Sequence, residues 1–317
     1  MLLILSFSLD TTVDLLLEKL VGIETFRFNI DLWNHYTWRA DATGFTLWDP
    51  TGRICSDREV TAVYFRKLIF NPPRIDVPEN GSEENWRRTE LELFWKGIRD
   101  WAHETGRLAL VMPAPTGEWG KIRQMRVAAR WFHVPEWRMF HNNHEDFFTP
   151  VVVKTQGAEP VGRETPLMVR RVDPRLLSHE FPWFIQKEIT DASHDVTVVW
   201  VSGRMFAYEL DRSQFTQVDC RESMYSNEML WRPCLLSQDQ QHAISNFMNH
   251  TGMKFGRLDF LRMPTGLTFL EVNPNGQYAW LDMEGTNGLL DAVVEELIVA
   301  MEVHVSSRQA RDALTHD

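Results

Sequence analysis

Asp259, Glu271 and Asn273 are the side chains in this 317-residue chain whose types and spacing most clearly suit chemistry. Two apolar runs, Phe255 to Leu261 and Leu267 to Asn273, flank Met263-Pro264-Thr265-Gly266, a Pro and Gly turn signal at hairpin spacing. With the turn centred on Thr265, Asp259 faces Glu271 and Arg257 faces Asn273. Side chains alternate along a strand, so Asp259, Glu271 and Asn273 share one face. Opposed carboxylates repel each other, and a cation is expected between them. An oxygen-only set suits Mg²⁺, which binds through one or two carboxylates plus substrate phosphates. The pattern alone equally allows both acids to point to solvent on an ordinary hairpin.

Other charged residues stand where charge is costly or clustered. Thr149-Pro150-Val151-Val152-Val153-Lys154 reads as a strand that delivers a lysine to the inner side of a sheet, and a buried ammonium needs an anion. Arg123, Arg126 and Arg130 recur at helical spacing, giving either a solvated face or a surface for an anionic peptide. Arg66-Lys67 closes an aromatic strand, with the same two readings. The histidines include no His-x-x-x-His pair, so no zinc site is read. No Gly-rich Walker loop is present, which argues against a P-loop enzyme.

The elements that must position these residues are of mixed type. Leu2 to Ser6 is a strand candidate, Asp10 can cap a helix carrying Val13, Leu16, Leu17 and Leu20, and Glu24 to Asn29 is a second strand, a β-α-β opening. Tyr36 to Val63 alternates around Asp49-Pro50-Thr51-Gly52, as hairpin strands do. A helix with Phe94, Ile98, Trp101 and Ala102 on one face follows, then a strand from Arg107 to Met112. Pro113 to Gly117 marks a domain boundary, after which Ile122, Met125, Ala129 and Phe132 give a helix an apolar stripe. Trp183 to Ile189 is a further strand. Val198 to Val201 and Arg204 to Leu210 form a hairpin across Ser202-Gly203. Ser237 can cap a helix ending near Gly252, Leu289 to Val303 is a largely apolar helix, and His304 to Asp317 reads as a frayed tail.

Asp259, then Phe269-Leu270-Glu271-Val272-Asn273-Pro274-Asn275-Gly276-Gln277 and Trp280, resembles the metal-binding end of ATP-grasp ligases. The Asn-Pro-Asn-Gly-Gln tail with its nearby Trp is most similar to the microviridin-type, or graspetide, maturases of ribosomally made peptides. The resemblance implies that Asp259, Glu271 and Asn273 hold the magnesium ions that bridge the ATP phosphates. Lys154 resembles the strand lysine that contacts those phosphates, although Thr155 stands where the family has proline. Lys121 falls where the family has an Asn-Lys pair near the nucleotide, with Gly120 before it. Gln186-Lys187-Glu188-Ile189 is similar to the interdomain hinge that reads adenine through the backbone and ribose through an acid, but departs from the family's Gln-Glu-Tyr-Ile. Asp195 matches the first residue of an Asp-Ile-Arg motif in which Thr197 replaces the arginine. Asp219-Cys220-Arg221 resembles an Asp-Trp-Arg motif, which makes Arg221 the candidate clamp for phosphate or acyl phosphate, with a salt bridge at the rim as the other reading of that residue. Ser6 to Thr12, Phe26 to Asn29 and Val63 to Lys67 resemble the family's N-terminal unit.

The expectation is therefore an α/β (α+β) chain with the ATP-grasp fold. An N-terminal α/β pre-ATP-grasp domain would span residues 1–116, a central subdomain 117–187, and a C-terminal subdomain with the metal site 188–305, followed by a tail at 306–317. The implied activity joins a carboxylate to an amine or hydroxyl through an acyl phosphate, with ATP and Mg²⁺ (or Mn²⁺) as cofactors. Lys154 and Arg221 would act on the transferring phosphoryl, and Lys121, Gln186, Lys187, Glu188, Ile189 and Asp195 would bind nucleotide. Arg66, Arg123, Arg126, Arg257 and Asn275 would face the substrate, a precursor peptide with acidic core residues. A ligase of free amino acids or of a protein C-terminus, and a nucleotide-binding partner protein without catalysis, are the alternatives.

Composition sets the outer bounds. A net charge of −11 disfavours non-specific binding to nucleic acid or anionic membrane. The opening MLLILSFSLD lacks a basic n-region and is too short to span a bilayer. Three cysteines without metal-ligand spacing fit a reducing compartment, so a cytoplasmic protein is expected, and a homodimer is admitted.

Overall fold

The computed structural model describes residues 1–66, 81–110, 119–141, 150–154, 169–178, 180–216, 218 and 230–314. Lys67, Thr155, Asp219 to Arg221 and the boundary at Pro113 to Gly117 lie outside these residues.

The chain opens as β1 (Leu2–Ser6), α1 (Thr11–Lys19) and β2 (Thr25–Asn29). Strand β1 is buried along its whole length because it pairs in parallel on both sides, with β2 and with the later β6, and a strand covered on both faces reads as a continuous apolar run. The Asp10 carboxylate caps α1 by accepting the Thr12 N–H at 3.2 Å. Between β2 and β6 (Ala62–Phe65) a small antiparallel sheet intervenes, made of β3 (Thr37–Asp41), β4 (Gly44–Trp48) and β5 (Ile54–Ser56).

Helix α2 (Gly81–Glu104) buries Leu91, Trp95, Ile98 and Ala102. The buried face is turned toward Trp95 relative to the expected Phe94 and Trp101, because the Trp95 indole fills the space over Phe28 at 4.1 Å. The strand expected at Arg107 to Met112 is reduced, among its described residues, to a single parallel bridge between Leu108 and Val63. Leu110 then takes a φ of 62°, which breaks the extended backbone.

The central region begins with α3 (Lys121–Ala128), followed by β7 (Trp137–Phe140), β8 (Val151–Lys154), β9 (Arg170–Val172) and β10 (Trp183–Lys187). These strands form one antiparallel sheet in the order β7-β10-β8-β9. Next come β11 (His194–Val201), β12 (Arg204–Asp211), β13 (Arg232–Pro233), α4 (Gln238–Thr251), β14 (Phe255–Met263), β15 (Gly266–Asn273) and α5 (Leu289–Leu314). Their sheet runs β13-β12-β11-β14-β15, antiparallel throughout. Ser202 and Gly203, with φ of 46° and 100°, make the tight turn between β11 and β12. A Ser237 and Gln240 capping box starts α4, and Gly252, at a φ of 70°, ends it. Helix α5 continues to Leu314 through the stretch expected to be a frayed tail; His304 within it accepts a hydrogen bond from Arg107 Nε at 3.0 Å. No helix among the described residues is long and apolar enough to cross a membrane.

Two cores lie on opposite faces of the C-terminal sheet. On one, Val199, Val201, Tyr208 and Phe255 pack with Leu2, Ile4, Leu16 and Tyr64 of the N-terminal unit and with Leu289 to Leu297 of α5. On the other, Val198, Leu258, Phe260, Phe269 and Val272 pack with α4, with Met125 and Ala128 of α3, and with Phe184 of β10. Strand β15 is the edge of this sheet, and its outward N–H groups need acceptors. His133 O takes the Phe269 N–H and Gln124 Oε1 takes the Val272 N–H, both at 2.9 Å. This explains the α3 face: Gln124, Met125 and Ala128 are buried, while Ile122, expected in the apolar stripe, is exposed. Gln124 is tolerated inside because both ends of its amide are engaged, the other by Trp119 O.

Candidate active site

The hairpin places its acids through a device that the turn signal does not announce. Met263 pairs with Gly266 and Phe260 with Phe269, so the turn contains only Pro264 and Thr265. Continued unbroken, that register would put Leu270 opposite Asp259 and turn Glu271 into the apolar core beside Leu258. A bulge between Asp259 and Phe260 on the β14 side leaves Leu270 as the extra residue. Beyond it Asp259 pairs with Glu271 and Arg257 with Asn273, the expected partners. All four side chains then lie on the face of the sheet that meets the N-terminal unit.

Cations and donors surround the two carboxylates. Lys121 Nζ, at the first residue of α3, lies 2.6 Å from Glu271 Oε2, and Asn273 Nδ2 donates to Glu271 Oε1 at 3.1 Å. Arg257 Nη2 donates to Asp259 Oδ2 at 3.0 Å and Thr197 Oγ1 to Asp259 Oδ1 at 2.8 Å. Burial would raise the Glu271 carboxyl, but the Lys121 and Lys154 ammoniums, with hydrogen bonds from Lys121 and Asn273, hold it well below the usual carboxylate range. Glu271 is thus a fixed anion at neutral pH, although its side chain is only 23% exposed.

The central sheet supplies the opposite wall. Lys154 pairs with Phe184 and Val152 with Gln186, so Lys154 and Gln186 point to one face of that sheet. Lys154 is only 9% exposed. Gln186 is buried, its Nε2 reaches Met125 Sδ at 3.2 Å, and its Oε1 has no hydrogen-bond partner among the described residues. The hinge differs in part from expectation. The Lys187 and Glu188 N–H groups donate to the Glu136 and Pro150 carbonyls at 2.8 and 2.9 Å, so these two amides already serve the protein. Both Glu188 carboxylate oxygens accept from Arg171, at 2.7 to 2.9 Å, and Lys187 Nζ stands 3.4 Å from Glu136. Ile189 follows on the same loop.

The expected substrate residues divide into two groups. Arg123 and Arg126 are exposed on α3, with the Arg123 guanidinium 4.1 Å above the Trp119 ring. Arg66 and Asn275 instead bind each other inside the protein: Arg66 Nη1 donates to Asn275 Oδ1 at 2.6 Å, and Asn275 Nδ2 returns to Arg66 O. The Arg66 side chain has no exposed surface, so Arg66 itself adds nothing to the basic strand end expected there, and Lys67 lies outside the described residues. Asp195 shares the Thr197 face and is bonded to Arg212 Nη1 at 2.7 Å, an arginine that follows β12 and that sequence reasoning passed over. Also passed over were Thr197 as a donor to Asp259, and Tyr64, Tyr278, Asp10 and Gln277 around Arg66. Arg221 lies outside the described residues.

No protein-family model and no curated protein matches the sequence. Solved structures do match. Macrocyclase MdnC bound with precursor peptide MdnA, from Microcystis aeruginosa MRC, aligns with a TM-score of 0.76 at 19% identity, over 94% of this chain and 99% of that one. A RiPP-associated ATP-grasp ligase of Chryseobacterium gregarium, in complex with ADP and a leader and core peptide, gives 0.75 at 19% identity over 94% and 96%. ATP-grasp ligase PsnB with a phosphomimetic variant of minimal precursor, Mg and ADP gives 0.70 at 15% identity over 95% and 98%. At these identities the likeness is one of fold, and the chain has the fold of the ATP-grasp ligases.

Proposed function

We propose that this chain is an ATP-dependent ligase that forms side-chain amide or ester cross-links in a ribosomally made precursor peptide. A carboxylate oxygen of the peptide attacks the γ-phosphorus of ATP and ADP departs; an amine or hydroxyl then attacks the acyl carbon and phosphate departs. The observation that carries the reading is the convergence of Asp259, Glu271 and Asn273 on one face beside Lys121 and Lys154. The neighbouring folds support it, since their structures hold ADP, Mg or precursor peptide.

The residues fit the groups such a reaction needs. Two carboxylates and an amide form the hard-oxygen set that suits Mg²⁺, and bound Mg²⁺ would neutralise charge on the phosphate oxygens. Asp259, Glu271 and Asn273 would hold it. Gln186 Oε1 is a buried acceptor that meets no donor among the described residues, and the adenine amino group would be one. Lys154 and Lys121 offer ammoniums to phosphate oxygens, and Arg257, fixed between Asp259 and Gln277 O, offers a planar fork at the same face. Arg221 is assigned to the transferring phosphoryl on its sequence resemblance. The test is phosphate release that depends on an acidic precursor peptide, with the peptide losing one water per bond formed. Release without any change in peptide mass would point instead to a free amino acid or other acceptor.

The exposed Arg123 and Arg126 give the peptide an electrostatic landing surface. Exposed pairs are screened over about 8 to 10 Å at physiological salt and contribute about 0.2 to 1 kcal/mol each. Reversing both to Glu is therefore expected to raise the peptide dissociation constant about tenfold at low salt, and by less at high salt, with ATP affinity unchanged. Fluorescence anisotropy of a labelled peptide measures this, and indifference to both salt and reversal would make the α3 face a solvated one.

A further inference from the structure

We propose that Arg66 is a positioning residue that sets the metal-ligand geometry from the N-terminal unit, by gripping the loop that follows Asn273. This rests on the reading of Asp259, Glu271 and Asn273 as metal ligands. Arg66 leaves the carboxyl end of β6, and its side chain has no exposed surface. A buried guanidinium is costly unless its donors are met. Three of its contacts come from three consecutive residues of one loop: Asn275 Oδ1 at 2.6 Å, Gly276 O at 3.4 Å and Gln277 Oε1 at 3.0 Å. Its charge is balanced by Asp10, whose Oδ2 lies 3.4 Å from Arg66 Nε. Tyr64 and Tyr278 flank the guanidinium at 5.9 and 5.5 Å from their ring centres.

The loop has little freedom of its own against this grip. Thr12 Oγ1 adds a bond to Gln277 Oε1 at 2.8 Å, and Arg257 Nη1 holds Gln277 O at 2.9 Å from the opposite side. A Cβ on Gly276 would stand 3.1 Å from the Cβ atoms of both Arg257 and Asn273, so the backbone here is pressed against Asn273 itself. Displacing residues 275–277 therefore moves Asn273, whose amide bridges Asp259 and Glu271. Arg66 touches neither carboxylate, and acts through the loop.

The test measures ADP affinity by titration calorimetry with and without Mn²⁺, on the full chain. In the wild type Mn²⁺ is expected to tighten ADP binding, and Asp259→Asn to remove that tightening. Arg66→Lys, which keeps the charge but not the planar fork, and Gln277→Leu, which removes one of the loop acceptors of the Arg66 guanidinium and leaves its Asp10 and Asn275 partners in place, are each expected to cost about tenfold of the tightening, as loss of support behind metal ligands does. Metal-free ADP affinity should stay unchanged, which a merely structural role would not predict. Should Arg66→Lys fail to fold, Gln277→Leu decides alone. Full tightening in the folded variants, or a parallel fall in metal-free ADP affinity, overturns the inference while Asp259→Asn still upholds the metal reading. A wild type with no Mn²⁺ effect overturns both.

Discussion

Asp259→Asn combined with Glu271→Gln is expected to abolish Mg²⁺-dependent ATP turnover, by about a thousandfold or more, and to leave a folded protein. Both substitutions keep shape and remove one negative charge each. Lys121, Lys154 and Arg257 would then lose the two carboxylates that offset them here, and a divalent cation would meet a more positive site as well as be deprived of ligands. Charge neutralisation by a bound metal is worth several kcal/mol to a transferring phosphoryl, and about 1.4 kcal/mol is a factor of ten in rate. The fold should survive because both side chains lie at the border of solvent, at 24% and 23% exposure, outside the apolar clusters on either face of the sheet. Coupled-assay turnover with the candidate peptide, beside a thermal denaturation curve, checks both halves. Turnover at the wild-type rate in a folded double variant would sink the metal assignment.

Elements closed by a few neighbouring residues were legible in the sequence. The Asp10 cap, the Ser202-Gly203 turn, the Ser237 capping box and the Gly252 stop each need only a handful of consecutive residues to form, and all stand where they were expected. The pairing of Asp259 with Glu271 was also legible, but for an incomplete reason. A turn centred on Thr265 gives the same partners as a shorter turn plus a bulge at Leu270. The trace of that bulge lies in the buried apolar residues of β15: Leu267 and Phe269 are two apart, while Phe269 and Val272 are three apart. A strict alternation would not do this.

What the sequence could not show are contacts between residues far apart in the chain. Nothing near Lys121 announces that its ammonium meets Glu271, 150 residues away. Arg66 misled for a related reason, since charged residues are seldom fully buried. Its partners Asn275 and Gln277, more than 200 residues on, are what make burial affordable. The buried faces of α2 and α3 were misplaced because helical spacing admits neighbouring stripes. Phe28 beneath Trp95 and the edge of β15 beside Gln124 make the choice.

Lys154→Ala is expected to weaken ATP by about tenfold to a hundredfold and adenosine by less than about twofold. Lys154 ends β8 at 9% exposure, on the same sheet face as Gln186 and close enough to Glu271 to hold that carboxyl down. An ammonium in such a place is stabilised by whichever anions it meets. A hydrogen bond to a charged group contributes about 1.5 to 3 kcal/mol, and the phosphate chain of ATP offers such groups where adenosine offers none. The loss falls short of the full charge interaction because Glu271 already balances part of the lysine's charge. Lys154→Met, which keeps most of the aliphatic stem packed against the sheet, should lose the same affinity for ATP while restoring any stability that the alanine gives up. Calorimetric titration of both nucleotides against both variants separates the terms. If adenosine weakens as much as ATP in the methionine variant, Lys154 serves to hold β8 in place and the phosphates are bound elsewhere, with Lys121 the next residue to test.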